Sequence, residues 1–296
     1  MEKCTLCPRK CGVDRSSGKT GYCGESTTVR VARTSLHQWE EPCITGEYGS
    51  GTVFFSGCGL KCIFCQNHNI ADSSVGREFT IEELAAAFLS LQDKKASNIN
   101  LVTAGHFTEQ LVEALQMAKR RGLIIPVVYN TSGYETVESL RKLKGLVDVY
   151  LPDCKFFDSH LAAQYAKAPD YFEVAKEAIA EMVRQVGTAQ FDEQSGNMIK
   201  GVIVRHLILP GHTKDSKEII KYLHGTYGNS IYISIMNQYT PMAKWDGFPN
   251  LNRKVTKREY EKVLDYAMEL GVENAFIQEG ETASQSFIPE FDCSFI

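Results

Sequence analysis

Three cysteines fall within eight residues of Phe55–Asn67, "FSGCGLKCIFCQN", spaced C-x3-C-x2-C as Cys58, Cys62 and Cys65. Thiolates are the soft ligands of iron–sulfur clusters and zinc, and closed sites of either kind take four protein ligands. Three thiolates on a [4Fe–4S] cube leave one iron without a protein ligand. That iron can accept an exogenous ligand, as catalytic zinc keeps a position for substrate. The competing reading is a zinc site completed from elsewhere, for instance by His68.

A second group opens the chain. "CTLCPRKCGVDRSSGKTGYC" supplies Cys4, Cys7, Cys11 and Cys23, spaced C-x2-C-x3-C-x11-C. It reads as tetrahedral zinc stapling a segment too short for its own core, as a second iron–sulfur cluster, or as a reversible redox site. Cys43, with His37 shortly before it in "LHQWEEPC", is a substitute ligand. The basic residues between these cysteines, Arg9, Lys10, Arg15 and Lys19, read as a solvated face.

Ten cysteines are many for 296 residues, and seven of them sit in these two groups, which scattered packing cysteines would not do. "MEKCTLCPRK" has no apolar h-region and no window holds 18 uninterrupted apolar residues, so a soluble, cytoplasmic protein is expected. In a reducing compartment metal ligation outweighs disulfides. A net charge of −4 gives no electrostatic reason to expect nucleic acid or an anionic membrane as partner.

The elements that must position the thiols follow one rhythm. After an irregular Cys-rich stretch, Thr27–Pro42 alternates like a short hairpin or irregular strands. Apolar runs such as "GTVFFSG", "NINLVTAG", "IIPVVYNTSG", "VDVYLPD", "GVIVRHLILPG", "NSIYISIMNQ" and "NAFIQEG" then alternate with amphipathic helices. Two of these helices open on capping boxes, Thr80 with Glu83 and Thr256 with Glu259. Continuous apolar strands between helices predict an α/β fold with a parallel sheet. Six strand–helix units and a closing strand suit a partial (β/α)6 TIM-like barrel or a doubly wound sheet. The expected division is a Cys-rich N-terminal extension over residues 1–48 and a barrel with a closing segment over 49–296. Tyr239–Arg253 reads as a long, functional loop. The cysteine motif follows the first of these strands, at the end of a parallel sheet where sites are built.

C-x3-C-x2-C after the first strand, with Phe64 before its last cysteine, resembles the radical S-adenosylmethionine (SAM) enzymes. Together "SGCGLKCIFCQN", "YNTSGYE", "LPDCK" and "VRHLILPG" resemble the pyruvate formate-lyase activating enzyme-like branch, over about residues 1–290. The resemblance implies a partial (β/α)6 barrel and an oxidoreductase in which Cys58, Cys62 and Cys65 hold the cluster. SAM chelates the open iron and is reductively cleaved to a 5′-deoxyadenosyl radical that abstracts hydrogen. It places Phe64, Thr103, Gly105, Asn130, Thr131, Asp153, Lys155 and Arg205 at the SAM site, although Thr103–His106 lacks the acidic residue the family has at this strand. Asn130, Thr131 and Asp153 would be oxygen ligands of a monovalent cation. Implied partners are a flavodoxin- or ferredoxin-type electron donor and a glycyl-radical enzyme. No catalytic side chain beyond the cluster is assigned. The other readings are radical modification of a small molecule or peptide side chain, and a non-enzymatic iron–sulfur electron carrier. Arg205 is the expected inward residue of its strand rather than His206, with Asn237, Gln238 and Tyr239 ending the next. Cys154 is expected to pack.

Anaerobically purified protein is expected to hold about four irons per chain beside one zinc, or about eight irons, and to lose about four on changing Cys58, Cys62 and Cys65 to Ala. Zinc and residual iron in that variant separate the readings of the N-terminal group. Zinc without any iron in the unaltered protein would overturn the cluster reading.

Overall fold

Short runs that are apolar on both faces must be covered on both, and they form the centre of the sheet. The computed structural model describes residues 3–278 and 291–296. Its strands are β1 Val29–His37, β2 Ser50–Phe55, β3 Arg77–Phe79, β4 Ile99–Val102, β5 Val127–Thr131, β6 Val149–Pro152, β7 Gln190–Phe191, β8 Met198–Leu207, β9 Tyr232–Met236 and β10 Ala275–Ile277. Among the described residues they join in the order β10-β9-β8-β6-β5-β4-β2-β1-β3, with β7 beside β8. From β2 to β10 this order is parallel, and β1 and β3 close the other edge antiparallel. The α/β class and the partial (β/α)6 barrel expected from the sequence are what the chain forms. The closing segment expected after β10 lies outside the described residues as far as 290.

Side chains alternate across each strand, which divides the core in two. Val53, Phe55, Leu101, Tyr129, Tyr150, Val204 and Ile235 pack outward under the helices, against Phe88, Leu115, Met182, Ile220 and Val263. The other parity points inward, where Val128, Val149, Leu151 and Ile203 meet Cys43 and Ile44. Both predicted capping boxes form, at Thr80–Glu83 and Thr256–Glu259. Each satisfies two otherwise orphaned N–H groups and is worth about 1 kcal/mol.

Thr27–Pro42 is not a hairpin. It is one strand, β1, paired with β2 on one side and β3 on the other. Its alternation runs on without the Asn-Gly or Asp-Gly signal that a two-residue hairpin needs. β1 therefore precedes the expected boundary at residue 48 and is part of the sheet. A short helix, Pro42–Thr45, then turns Cys43 and Ile44 into the N-terminal end of the barrel. From the far end of the chain, Phe291 packs edge-on to Phe54 and Phe295 against Phe79.

The upper ends of β5 and β6 approach so closely that no side chain fits between them. Gly133 has φ +76°, and a Cβ there would lie 2.2 Å from the Asp153 carbonyl oxygen. Gly133→Ala is expected to destabilise the fold by about 2 kcal/mol or more, through both the left-handed backbone and the overlap. Urea titration checks this, and an unchanged midpoint would refute the close approach.

Candidate active site

Leaving β2, the chain turns at Gly57, whose φ is +84° and whose Cβ position is already occupied, 2.8 Å from the Cys23 carbonyl oxygen. The following loop brings Cys58, Cys62 and Cys65 to the wall of one cavity of about 240 Å³. The amides of Leu60 and Lys61 donate to Cys58 Sγ at 3.4 and 3.5 Å. Burial pushes the Cys65 thiol up to about 11 and the Cys62 thiol higher still. As free thiols they would be inert, and a metal that binds them must displace their protons. Three soft sulfurs on one loop, with two N–H donors at one of them, fit an iron–sulfur cluster.

The floor of the cavity is polar and densely bonded. Arg205, projecting inward from β8, donates from Nε to Asp153 Oδ1 at 3.0 Å and from Nη2 to Asn130 Oδ1 at 2.6 Å. Its Nη1 lies 3.3 Å from Glu40 Oε2. Lys155 Nζ donates to Asp153 Oδ2 at 2.6 Å. Burial alone would raise the Asp153 carboxyl, but Arg205 and Lys155 hold it below the usual carboxylate range. Burial disfavours the Lys155 charge, yet the Asp153 carboxylate keeps its pKa raised. His206 points the opposite way, buried, with Nδ1 2.8 Å from the Cys154 carbonyl oxygen.

Of the residues expected at a SAM site, Phe64, Thr103, Asn130, Thr131, Asp153, Lys155 and Arg205 all line this cavity. Phe64 is set edge-on against Phe156, Tyr165 and Tyr239. Thr103 has φ +59°, a costly conformation for a β-branched residue and one that clusters at functional sites. Gly105 lies behind, on a smaller cavity of about 20 Å³ shared with Cys7, Cys58 and Glu135. Asn130, Thr131 and Asp153 do not converge on one open position. Arg205 and Lys155 occupy the oxygens of Asn130 and Asp153, and Thr131 Oγ1 donates to Glu135 Oε1 at 2.5 Å. Gln238 lines the cavity, while Tyr239 joins the aromatic cluster with its hydroxyl on the Leu251 carbonyl at 2.7 Å.

Two acidic residues were invisible to motif reading. Glu40 accepts from Asn100 and Asn130 at 3.1 and 3.4 Å and closes the Arg205 network. Its one signal was the pair of carboxylates in "HQWEEPC". Glu135 comes from the loop after β5, and a Cβ on Gly105 would stand 2.3 Å from its Oε2. The small Gly105 thus leaves room for a carboxylate from the next unit. Burial raises Glu135 to about 7, against the opposing hydrogen bonds of Thr131 and Tyr129.

The N-terminal cysteines surround Gly21 and Gly59. A Cβ at Gly21 would lie 3.2 Å from Cys11 Sγ and 3.5 Å from Cys23 Sγ, and one at Gly59 would lie 3.7 Å from Cys7 Sγ. Among the described residues, no three His, Cys, Asp or Glu side chains stand at metal-holding distance. Cys43 is buried in the barrel interior and His68 is exposed on the helix His68–Ala71. Arg9 and Arg15 are not a solvated face. Arg15 is buried, donating to the carbonyls of Glu25 and His106 at 3.1 and 2.7 Å, and Arg9 reaches the carbonyls of Gly59 and Leu60.

The model of the Radical SAM superfamily matches residues 52–223, more than half of the chain. An uncharacterized protein of Methanocaldococcus jannaschii is 30% identical over 277 residues, 90% of this chain and 75% of that protein. A pyruvate formate-lyase-activating enzyme of Clostridium pasteurianum is 28% identical over 181 residues, 58% of this chain and 66% of that enzyme. In fold, the chain is similar to methylornithine synthase, with TM-score 0.52 and 14% identity over 74% of this chain and 60% of that one.

Arg205→Met is expected to cost about 3–5 kcal/mol, because it leaves the buried Glu40 carboxylate without its cation and Asp153 with Lys155 alone. The raised pKa of Glu135 adds a pH dependence of opposite sign to that of Asp153. With the folded pKa about 7 and the unfolded near 4.5, its contribution is full below pH 4.5 and is lost as pH rises through 7. Wild-type stability should therefore fall, by on the order of 3 kcal/mol from this group, between those values, and Glu135→Gln should flatten the fall. Urea midpoints at pH 5 and pH 7.5 measure both; parallel changes in the two proteins would refute the assignment.

Proposed function

Because the chain belongs to the radical SAM superfamily, we propose that Cys58, Cys62 and Cys65 hold a [4Fe–4S] cluster and that the cavity beside them receives SAM. Enzymes of this family catalyse radical chemistry with a [4Fe–4S] cluster and SAM, and that pair supplies the one-electron cleavage when bound. The chain's own residues bind, orient and shield. Lys155 is the partner for a carboxylate, since it lines the cavity and its ammonium is held there by Asp153. Arg205 keeps Asp153 ionised and Asn130 turned toward the cavity. Phe64, backed by Phe156, Tyr165 and Tyr239, offers an apolar face for a flat base, and Thr103 lines the same cavity. The observation that carries this reading is the meeting of three thiols and the Asn130–Asp153–Lys155–Arg205 floor in a single cavity.

The finer reading is hydrogen abstraction from a backbone glycine of a glycyl-radical enzyme, with the electron drawn from a flavodoxin- or ferredoxin-type donor. The clostridial activating enzyme supports it by sequence. The cavity supports it by access, since it opens beside Trp39, which is 61% exposed. No helix of the described residues is long and apolar enough to cross a membrane.

Reduced protein with SAM and candidate glycyl-radical partners is expected to give a glycyl EPR doublet. Deoxyadenosine released only with a low-molecular-mass fraction would instead assign a small substrate. Lys155→Met should weaken SAM binding tenfold or more, about 1.5 kcal/mol or above, with iron content preserved. Unchanged SAM affinity in that variant would remove Lys155 from the site.

A further inference from the structure

The N-terminal cysteine loop grips the cluster-binding loop in two places. Cys58 N–H donates to the Cys23 carbonyl at 3.1 Å, so the last cysteine of one group is bonded to the first of the other. Arg9 stands between Cys7 and Cys11. Its Nε donates to Gly59 O at 2.8 Å and its Nη2 to Leu60 O at 3.2 Å. Nη2 also donates to Ala166 O at 2.7 Å and Nη1 to Lys167 O, at the end of the helix Ser159–Ala166. The guanidinium carbon lies 4.3 Å from the ring centre of Tyr22 and 5.2 Å from that of Tyr134.

A planar fork satisfied by four carbonyls and flanked by two rings has little freedom, and a lysine could not reproduce it. Gly59 and Leu60 lie between Cys58 and Cys62, so turning either carbonyl displaces the thiols on both sides. Arg9 is placed in turn by the cysteine loop, through Lys10 N to Cys7 O at 3.0 Å and Gly12 N to Cys4 O at 3.1 Å. Residues 3–22 bury almost no apolar side chain, so a cross-link is what would fix their shape.

We propose that Cys4, Cys7, Cys11 and Cys23 form a metal-closed clamp on the cluster-binding loop, with Arg9 as the positioning residue that transmits it. A thiophilic divalent ion at the four cysteines fixes the Arg9 backbone, and Arg9 then holds Gly59 and Leu60 in the conformation that presents Cys58, Cys62 and Cys65 together. The effect on iron rests on the cluster reading above, whereas the effect on the loop does not.

The test is amide hydrogen exchange over residues 57–66 in metal-free full-length protein, with and without one equivalent of zinc. Zinc is expected to slow exchange there at least tenfold in wild type. Arg9→Met should still bind one zinc per chain but show no slowing, Arg9→Lys should recover only a minor part of it, and Cys11→Ser should lose both. No zinc binding in wild type, zinc binding without slowing, or equal slowing in Arg9→Met would each overturn the clamp. Reconstituted with iron and sulfide, zinc-loaded wild type should yield iron to a chelator at least tenfold more slowly than Arg9→Met. Equal rates would overturn the clamp while leaving the cluster reading intact. Zinc-dependent slowing in a protein that takes up no iron would keep the clamp and sink the cluster.

Discussion

A guanidinium buried among carboxylates is stable only if every charge around it is matched, and Arg205 is such a group. It links β8 to Asn130 at the top of β5, to Asp153 just beyond β6 and to Glu40 just beyond β1. β8, β6 and β5 are neighbours in the sheet order and β1 lies near its far edge, so the bond to Glu40 reaches across the barrel interior while the others tie adjacent strand ends. Hydrophobic packing can press strands together but has no preferred register at their ends. The Arg205 fork does. Lys155, Thr103 and the cysteine loop stand where they do because the strand tips beneath them are fixed.

Charge of this kind is seldom kept for stability alone, since an apolar substitute is often as stable. What the network provides is a polar surface whose protonation is set in advance. Asp153 stays ionised beside two cations, and Glu135, on the smaller cavity behind, is raised to about 7 by burial. Two carboxyls of different character thus border cavities that share Cys58, and the difference comes from their surroundings rather than their chemistry.

What the sequence made legible was local. Cys58, Cys62 and Cys65 declare themselves within one loop, the strands are short enough to stand out as apolar runs, and Thr80–Glu83 and Thr256–Glu259 are contacts three residues long. Glu40 was not legible, because its meaning depends on Arg205, 165 residues away. Arg9 and Arg15 were misread for a related reason. Composition cannot distinguish an arginine in water from one that spends all its donors on backbone carbonyls in another part of the chain. Of the two readings of Thr27–Pro42, the strand with an irregular register formed and the hairpin did not, because alternation gives a strand's faces and not its partners, and β1 found them on both sides.

The lower half of the barrel interior bears on turnover. Cys43 and Ile44 are inserted there among Val128, Val149, Leu151, Met198 and Ile203, a layer of tightly fitted side chains. Among the described residues this layer closes the cavity on its lower side. A molecule held in a cavity closed on that side cannot leave past the packed layer. Arrivals and departures then share the open side, so each competes with the other for the same space.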